Sequence, residues 1–212
     1  NFKIAVISID DFYLPSDEMK LAIKNNPWNV SRGFPGSHSV KLMHEKLLNW
    51  KLNGSLNVPV FDKSLRNGLG DRSHWRSDNP DLLIIEGWFL GIEPTFGNVN
   101  DQYENSLELS SSESFYRSNI QNNLDKYLDV WNLIDNIWHL KPLKFEYMNT
   151  WKTNQEKEML LQKGNALQND KLSNFLRMLN VSIPHKSFEV LNSYASLLID
   201  QDRNLIEVSL NS

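Results

Sequence analysis

The chain has 212 residues, of which 40% are hydrophobic and 23% are charged, and these proportions predict one globular domain over residues 1–212. The net charge of −4 argues against a broad basic surface for nucleic acid. The absence of cysteine excludes disulfides, thiolate catalysis and cysteine-ligated zinc. No apolar run approaches the ~18 residues of a membrane helix and no signal peptide is evident, so we expect a cytoplasmic protein without a membrane partner.

Strands and helices alternate in the first half of the predicted structure. Residues 2–9 carry apolar side chains at odd and even positions, which predicts a strand buried on both faces. Residues 82–85 form the clearest central strand, which ends at Glu86 and Gly87. Between these strands the sequence predicts, in order, a helix at 16–24, a loop at 25–39, a helix at 40–52, a short strand at 58–61 and a polar loop at 62–78.

The second half continues the alternation. A polar, Ser/Asn-rich excursion is predicted at 97–114 and is followed by a helix at 115–131, a strand at 136–140 and an amphipathic helix at 145–163. Further helices are predicted at 168–180 and 186–196, and a final strand pair at 196–199 and 205–208. This order predicts an α/β fold with a mainly parallel sheet and helices on both faces.

Acidic residues follow the two clearest strands. Asp10 and Asp11 come directly after the first strand, where a carboxylate facing the crevice could accept a proton from a substrate hydroxyl. The alternative is a pair that only closes a turn. Glu86 follows four apolar residues, the Walker B pattern in which the acid organises Mg²⁺, although many buried strands end in an acid without binding a metal.

Two loops offer cations to an anionic ligand. The first contains Arg32 and His38 among two glycines and a proline. The second is rich in charge and glycine and contains Asp62, Lys63, Arg66, Asp71 and Arg72. This composition suits a loop that wraps a small acid or a phosphate, but the loop lacks the Gly-Lys-Ser/Thr ending of a Walker A phosphate loop. Solvated turns with incidental charges are the alternative for both loops.

Taken in this order, the motifs resemble the D-glycerate 3-kinase family, a branch of the P-loop kinases related to uridine kinase, phosphoribulokinase and pantothenate kinase. Four stretches carry most of the resemblance: residues 8–14 (Ser-Ile-Asp-Asp-Phe-Tyr-Leu), 32–38 (Arg-Gly-Phe-Pro-Gly-Ser-His), 61–64 with 70–72, and 85–91 (Ile-Glu-Gly-Trp-Phe-Leu-Gly). Residues 141–142 and 151–156 look like the lid-side helix of the family, and residues 197–208 look like its ending.

The resemblance implies a three-layer P-loop NTPase-like fold and phosphoryl transfer from Mg²⁺-ATP to a hydroxyl of a small acid, with D-glycerate as the leading acceptor. It implies that Asp10 is the catalytic base, with Asp11 as a possible assistant, and that Glu86 organises the Mg²⁺ shell. The implied substrate and phosphate contacts are Arg32, His38, Asp62, Lys63, Arg66, Asp71 and Arg72, and Lys152 is the implied nucleotide contact.

The sequence departs from the family pattern at three points. The Walker A loop is absent from the 212 residues, so we expect the kinase domain to lack its N-terminal strand–P-loop–helix. Ser39 stands where the family has Asp, and Lys152 stands where it has Arg. Two alternatives therefore stay open: an inactive remnant that binds a small acid or a protein partner, and a kinase for another acceptor such as a nucleoside or pantothenate. The sequence does not indicate an oligomeric state.

Overall fold

The computed structural model of the chain describes residues 2–95, 108–164, 166–167 and 169–211. Within these ranges the strands are β1 (Ile4–Ser8), β2 (Leu56–Asp62), β3 (Asp71–Asp78), β4 (Leu82–Glu86), β5 (Trp138–Pro142), β6 (Ala195–Ile199) and β7 (Leu205–Leu210). The α-helices are α1 (Ser16–Ala22), α2 (Val40–Asn53), α3 (Ser111–Asp125), α4 (Leu128–Trp131), α5 (Tyr147–Lys163), α6 (Asp170–Val181) and α7 (His185–Glu189). Short 3₁₀-helices follow β1 at Ile9–Phe12 and precede β3 at Arg66–Gly68.

The strands form three groups. β1 and β4 are parallel, with Ile4 opposite Leu82 and Ser8 opposite Glu86. β2 and β3 form an antiparallel ribbon, whereas β6 pairs in parallel with β5 and antiparallel with β7. The α/β class is thus confirmed, but the described strands make separate groups and not the one continuous sheet that we expected.

The main core lies against one face of the β1–β4 pair. Ala5 and Ile7 of β1 are buried there, together with Met43 and Leu47 of α2. The same core takes in apolar side chains of α3 and α4 and of the segments that follow β1 and β4, among them Ile9, Phe12, Phe89, Ile120, Leu124 and Val130. This packing anchors the carboxyl ends of both strands, from which the acidic residues of the predicted site emerge.

The opposite face of the pair is open, which corrects the prediction that the first strand is buried on both faces. Ile4 and Val6 are 56% and 54% exposed, and their neighbours Leu82 and Ile84 on β4 are 41% and 45% exposed. Apolar residues on both faces of a parallel strand are typical of a sheet that is covered on both sides. Among the described residues, no element buries this second face.

Several predicted element boundaries are also corrected. Residues 71–78, predicted as part of a loop, form β3, whose side chains are nearly all exposed. The helix predicted at 115–131 begins earlier, at Ser111, and is divided between α3 and α4. Helix α7 ends at Glu189, and Ala195 and Ser196 belong to β6. Most of the predicted excursion at 97–114 lies outside the described residues.

Within the described ranges, none of the helices combines the length and the hydropathy that a membrane crossing requires.

Candidate active site

Asp10 and Glu86 leave neighbouring parallel strands at the same edge. Asp10 lies two residues beyond Ser8, which is the register partner of Glu86. The chain after Glu86 passes very close to the 3₁₀-helix at residues 9–12. A Cβ atom added to Gly87 would lie only 2.4 Å from Cδ1 of the buried Ile9. Glycine at position 87 therefore permits the close approach that brings the two acidic strand ends together.

Asp10 and Asp11 have different surroundings. The Asp10 amide donates to Ser8 Oγ at 3.2 Å, and the Ser8 amide donates to Asp11 Oδ2 at 3.2 Å, which caps the 3₁₀-helix. Asp11 Oδ1 also accepts from the Phe61 amide at 3.4 Å and so connects this turn to β2. The Asp11 carboxylate thus accepts hydrogen bonds from backbone amides, whereas the neighbours of the Asp10 carboxylate are side chains.

The Asp10 carboxylate is surrounded by donors. Lys63 Nζ lies 2.6 Å from Oδ2, and His38 Nε2 lies 3.9 Å from Oδ1. Burial alone would raise the pKa of Asp10, but the nearby donors of His38, Lys63 and Tyr13, together with the charge of Lys63, lower it well below its ordinary value. Asp10 is therefore ionised at neutral pH in the unliganded chain.

His38 lies beneath Asp10. Its side chain is fully buried, and its ring stacks on Tyr13 with a centroid separation of 4.5 Å. On the other side, Nδ1 lies 2.8 Å from the hydroxyl of the buried Tyr127. Burial lowers the pKa of His38, although the nearby Asp10 raises it, so the ring is neutral at pH 7. Sequence reasoning missed Tyr127, since no motif marks a residue 89 positions away from its partner.

Arg32 connects the two predicted ligand loops. Its Nη1 donates to the carbonyl oxygens of Gly68 at 3.0 Å and Leu69 at 2.7 Å. The guanidinium also lies over the Phe61 ring, 5.7 Å from its centroid. These contacts fix the approach of the loop at 32–38 to the loop at 66–70 and keep a positive charge at the site.

Most other charged side chains of the second loop bind groups within the loop or beside it, and so stabilise its conformation. Arg66 Nε pairs with Asp71 Oδ2 at 2.5 Å. Arg72 Nη2 donates to Ser39 Oγ at 2.6 Å, so the serine found at the family's Asp position contacts this arginine. Asp62 Oδ1 accepts from the amide and the hydroxyl of Ser64, at 2.8 and 2.6 Å. Among these loop residues, Lys63 is the one that reaches Asp10.

Lys152 approaches from α5. Its Nζ pairs with Glu156 at 2.5 Å, donates to Gln155 at 3.1 Å and lies over the Phe175 ring at 4.9 Å. The same lysine lines the wall of a cavity of about 2420 Å³, which we call the central cavity. The predicted site residues that line it are Asp10, Asp11, Arg32, Asp62, Lys63, Glu86 and Lys152. The lining does not include His38, Arg66, Asp71 or Arg72.

Glu86 presents an exposed carboxylate to the central cavity. Among the described residues, no group of three or more acidic or histidine side chains could hold a metal ion alone. Mg²⁺ in kinases is bound by one or two carboxylates together with phosphate oxygens, so one free carboxylate at this strand end fits such an ion. The donor set thus suits a metal that arrives with a nucleotide.

No protein-family model matches the chain. The probable ATP-dependent kinase TDA10 of Saccharomyces cerevisiae is 31% identical over 226 residues, which cover 95% of this chain and 75% of that protein. The chloroplastic D-glycerate 3-kinase of Arabidopsis thaliana is 36% identical over 146 residues, which cover 62% of this chain and 31% of that protein.

The solved structure of a D-glycerate 3-kinase from Cryptococcus neoformans aligns with 99% of this chain and with 80% of the kinase chain. The TM-score is 0.83 at 24% sequence identity, which shows that the two chains share a fold. The chain spans between 31% and 75% of the length of the curated relatives that it matches. The motifs, the fold and these relatives agree, and the chain belongs to the D-glycerate 3-kinase family of P-loop kinases, a family of phosphotransferases.

Proposed function

We propose that this chain carries the acceptor site and the catalytic base of an ATP-dependent kinase that phosphorylates a hydroxyl of a small acid, with D-glycerate as the acceptor. The observation that carries this proposal is the arrangement of Asp10 and Glu86. Glu86 ends β4, Asp10 lies two residues beyond Ser8, the register partner of Glu86 on the parallel strand β1, and both carboxylates line one cavity. Ligands of open α/β sheets bind outside the carboxyl ends of strands, which is where both acids lie.

Asp10 is the base in this proposal. Its carboxylate is ionised, and Oδ2 is held by Lys63, whose side chain is 53% exposed and belongs to a loop. An incoming acid can attract Lys63 to its own carboxylate, because a flexible ammonium exchanges one anionic partner for another at little cost. Oδ2 then accepts the proton of the acceptor hydroxyl as the phosphoryl group is transferred.

The remaining charges serve positioning and neutralisation, which supply most of the catalysis in phosphoryl transfer. Arg32 and Lys63 supply positive charge on the acceptor side of the central cavity, and Lys152 supplies it from α5. Glu86 would hold Mg²⁺ through one carboxylate oxygen or through a water ligand. The nucleotide supplies the phosphoryl group and the remaining oxygen ligands of that ion.

The phosphate cradle comes, in this proposal, from a strand–Walker A–helix unit that enters the central cavity between β4 and β5. Within the described residues β4 pairs only with β1 and β5 only with β6, so each strand has one edge without a ladder partner. Residues 82–87 and 136–142 all line the cavity. An additional strand would satisfy both edges, and its helix would cover Ile4, Val6 and Ile84.

The decisive experiment measures ADP release from Mg²⁺-ATP by a polypeptide that includes the coding sequence upstream of Asn1, with and without D-glycerate. We expect release that depends on D-glycerate. Asp10→Asn should lower turnover by about 10²-fold or more and leave ATP binding intact, because it removes only the proton acceptor. Asp17→Asn is the matched control, since the Asp17 side chain is 90% exposed on α1 and pairs only with Lys20 among the described residues.

Three results would contradict parts of the proposal. Near-normal turnover of Asp10→Asn would remove Asp10 from the role of base. Release that depends on a nucleoside or on pantothenate, but not on D-glycerate, would change the acceptor. Release by residues 1–212 alone would show that no Walker A unit is needed.

A further inference from the structure

The hydroxyl group of Tyr127 contacts one backbone amide and one nitrogen of His38. The residue lies fully buried between α3 and α4. Its oxygen accepts from the Gly36 amide at 3.2 Å. A phenol oxygen has two acceptor sites and one proton. A backbone amide N–H can only donate, so the hydroxyl proton of Tyr127 is directed at the neighbour that can accept it, Nδ1 of His38 at 2.8 Å.

This contact determines which nitrogen of His38 carries hydrogen. A neutral imidazole has one donor and one acceptor nitrogen, and the hydrogen bond made by one nitrogen fixes the state of the other. Since Nδ1 accepts from Tyr127, Nε2 carries the proton. Ser37 Oγ also lies 3.5 Å from Nδ1, but it donates its proton to the Phe34 carbonyl oxygen at 2.7 Å and does not compete.

The Nε2–H group faces Asp10. Nε2 is buried and has no hydrogen-bond partner among the described residues, and Asp10 Oδ1 is 3.9 Å away. Catalytic hydrogen bonds are often long in unliganded enzymes and tighten in the complex. A movement of about 1 Å would bring this pair to ordinary hydrogen-bond distance.

We propose that Tyr127 and His38 are positioning residues for the Asp10 base: Tyr127 fixes the tautomer of His38, and His38 directs Nε2–H at Asp10 Oδ1 so that Oδ2 faces the acceptor hydroxyl. The mechanistic part of this inference rests on the proposed function, but the tautomer does not. This proposal also replaces the predicted role of His38 as a substrate contact. The His38 ring stacks on Tyr13, which lines the central cavity, whereas His38 does not, so the ring reaches a ligand there only if Tyr13 moves.

The first test reads the tautomer directly, without any activity. Long-range ¹H–¹⁵N spectra of the full-length protein identify the ring nitrogen of His38 that bears the proton. We expect the proton on Nε2 in the unmodified protein and a mixture of tautomers in Tyr127→Phe, which lacks the donor. Tyr116→Phe, the same substitution at another buried tyrosine of the core, should leave the tautomer unchanged. A proton on Nδ1, or an unchanged tautomer in Tyr127→Phe, would overturn the inference.

The second test asks whether the Nε2 donor matters for turnover. His38→Leu removes the donor, whereas the side-chain amide of His38→Gln can place an N–H group near the position of Nε2. We expect His38→Leu to lower kcat about tenfold or more with little change in KM for ATP, and His38→Gln to restore most of kcat.

The pH profile separates positioning from packing. The groups that face Asp10 are His38, Lys63 and Tyr13, with Arg32 nearby. Loss of the neutral donor in His38→Leu should move the acidic limb of the kcat/KM profile to higher pH, because a carboxylate with fewer donors binds its proton more tightly. Equal activity and equal pH profiles of the Leu and Gln variants would overturn the role in turnover. If neither the unmodified protein nor any variant phosphorylates D-glycerate, the proposed function is wrong. The tautomer measurement still decides whether Tyr127 fixes the proton of His38 on Nε2.

Discussion

At the scale of single residues, the site is organised around one carboxylate with two distinct oxygens. Oδ1 of Asp10 faces the buried His38, and Oδ2 faces the ammonium group of the exposed Lys63 side chain. The first contact belongs to the folded core, whereas the second can be exchanged for a ligand. In the proposed mechanism, this division gives the Asp10 base a fixed orientation and a replaceable partner.

Lys63 should therefore control the protonation of Asp10 in the free enzyme. Lys63→Met removes a charge and a hydrogen bond that both lower the pKa of Asp10, so the pKa of this carboxyl should rise. Asp10 must be ionised to act as a base, and the acidic limb of kcat/KM against pH should move to higher pH in this variant. The matched control is Lys20→Met, which removes an exposed lysine that pairs with Asp17. An acidic limb that stays in place would show that Lys63 does not set the state of the base.

At the scale of helices and strands, apolar periodicity predicted the elements that carry the site. The strands before Asp10 and Glu86, and helices α2 and α5, begin and end close to the positions predicted from sequence. The missed element is β3, whose sequence Asp-Arg-Ser-His-Trp-Arg-Ser-Asp has almost no apolar residues because the strand buries nearly nothing. Its partner β2 supplies the pairing, and such long-range information is not present in a local pattern.

The candidate site was also predictable only in part, because sequence motifs are local and several contacts of the site are long-range. Motifs identified Asp10, Lys63, Glu86 and Arg32, which do line one cavity. The resemblance favoured Asp10 over Asp11 as the base, but the residue pattern alone could not separate them, because their difference in surroundings depends on the Ser8 and Phe61 amides that donate to Asp11. They also gave no indication of Tyr127, since the break between α3 and α4 is not marked by glycine or proline.

Glu113 connects several elements beside the site. Its carboxylate accepts from the amide of Ser110, the N-cap of α3, at 2.9 Å, from Trp28 Nε1 at 3.0 Å and from Arg177 of α6 at 2.8 and 2.9 Å. The Arg177 contact, with the other donors, lowers the pKa of Glu113 to about 2 against the effect of burial. A carboxyl with a lowered pKa stabilises the fold above its unfolded pKa, and this contribution is lost as pH falls.

Glu113→Gln should consequently destabilise the protein by about 2 kcal/mol at neutral pH, since it weakens hydrogen bonds between charged groups. Chemical denaturation at a series of pH values provides the measurement. The difference between the unmodified protein and the variant should shrink as pH falls from the ordinary value of 4.5 toward 2. Glu45→Gln, at a position on α2 whose side chain is 66% exposed, is the control and should have little effect. A difference that is independent of pH would contradict the assigned cause.

At the scale of the whole molecule, the open side of the β1–β4 pair and the unpaired edges of β4 and β5 belong to one feature. Leu82 and Ile84 of the open face line the central cavity, as do residues of both strands with unpaired edges. The open face exposes apolar side chains, and the edges leave backbone N–H and C=O groups without ladder partners among the described residues. The same sequence buries its other face in a well-packed core, so the exposed residues are not a consequence of a poorly formed sheet. They are explained together if a strand and a helix cover them, as the proposed Walker A unit would.

Ile84→Lys tests this explanation in a polypeptide that carries the proposed unit. If a helix covers the face, the charge is buried without a partner and the free energy of unfolding should fall by more than about 2 kcal/mol. If the face stays open, lysine at a position that is 45% exposed in residues 1–212 should be nearly neutral. Leu161→Lys is the matched control, because Leu161 on α5 is 86% exposed and should tolerate lysine in either case. Equal stability of the two variants, measured by urea denaturation, would mean that the unit does not lie across β1 and β4.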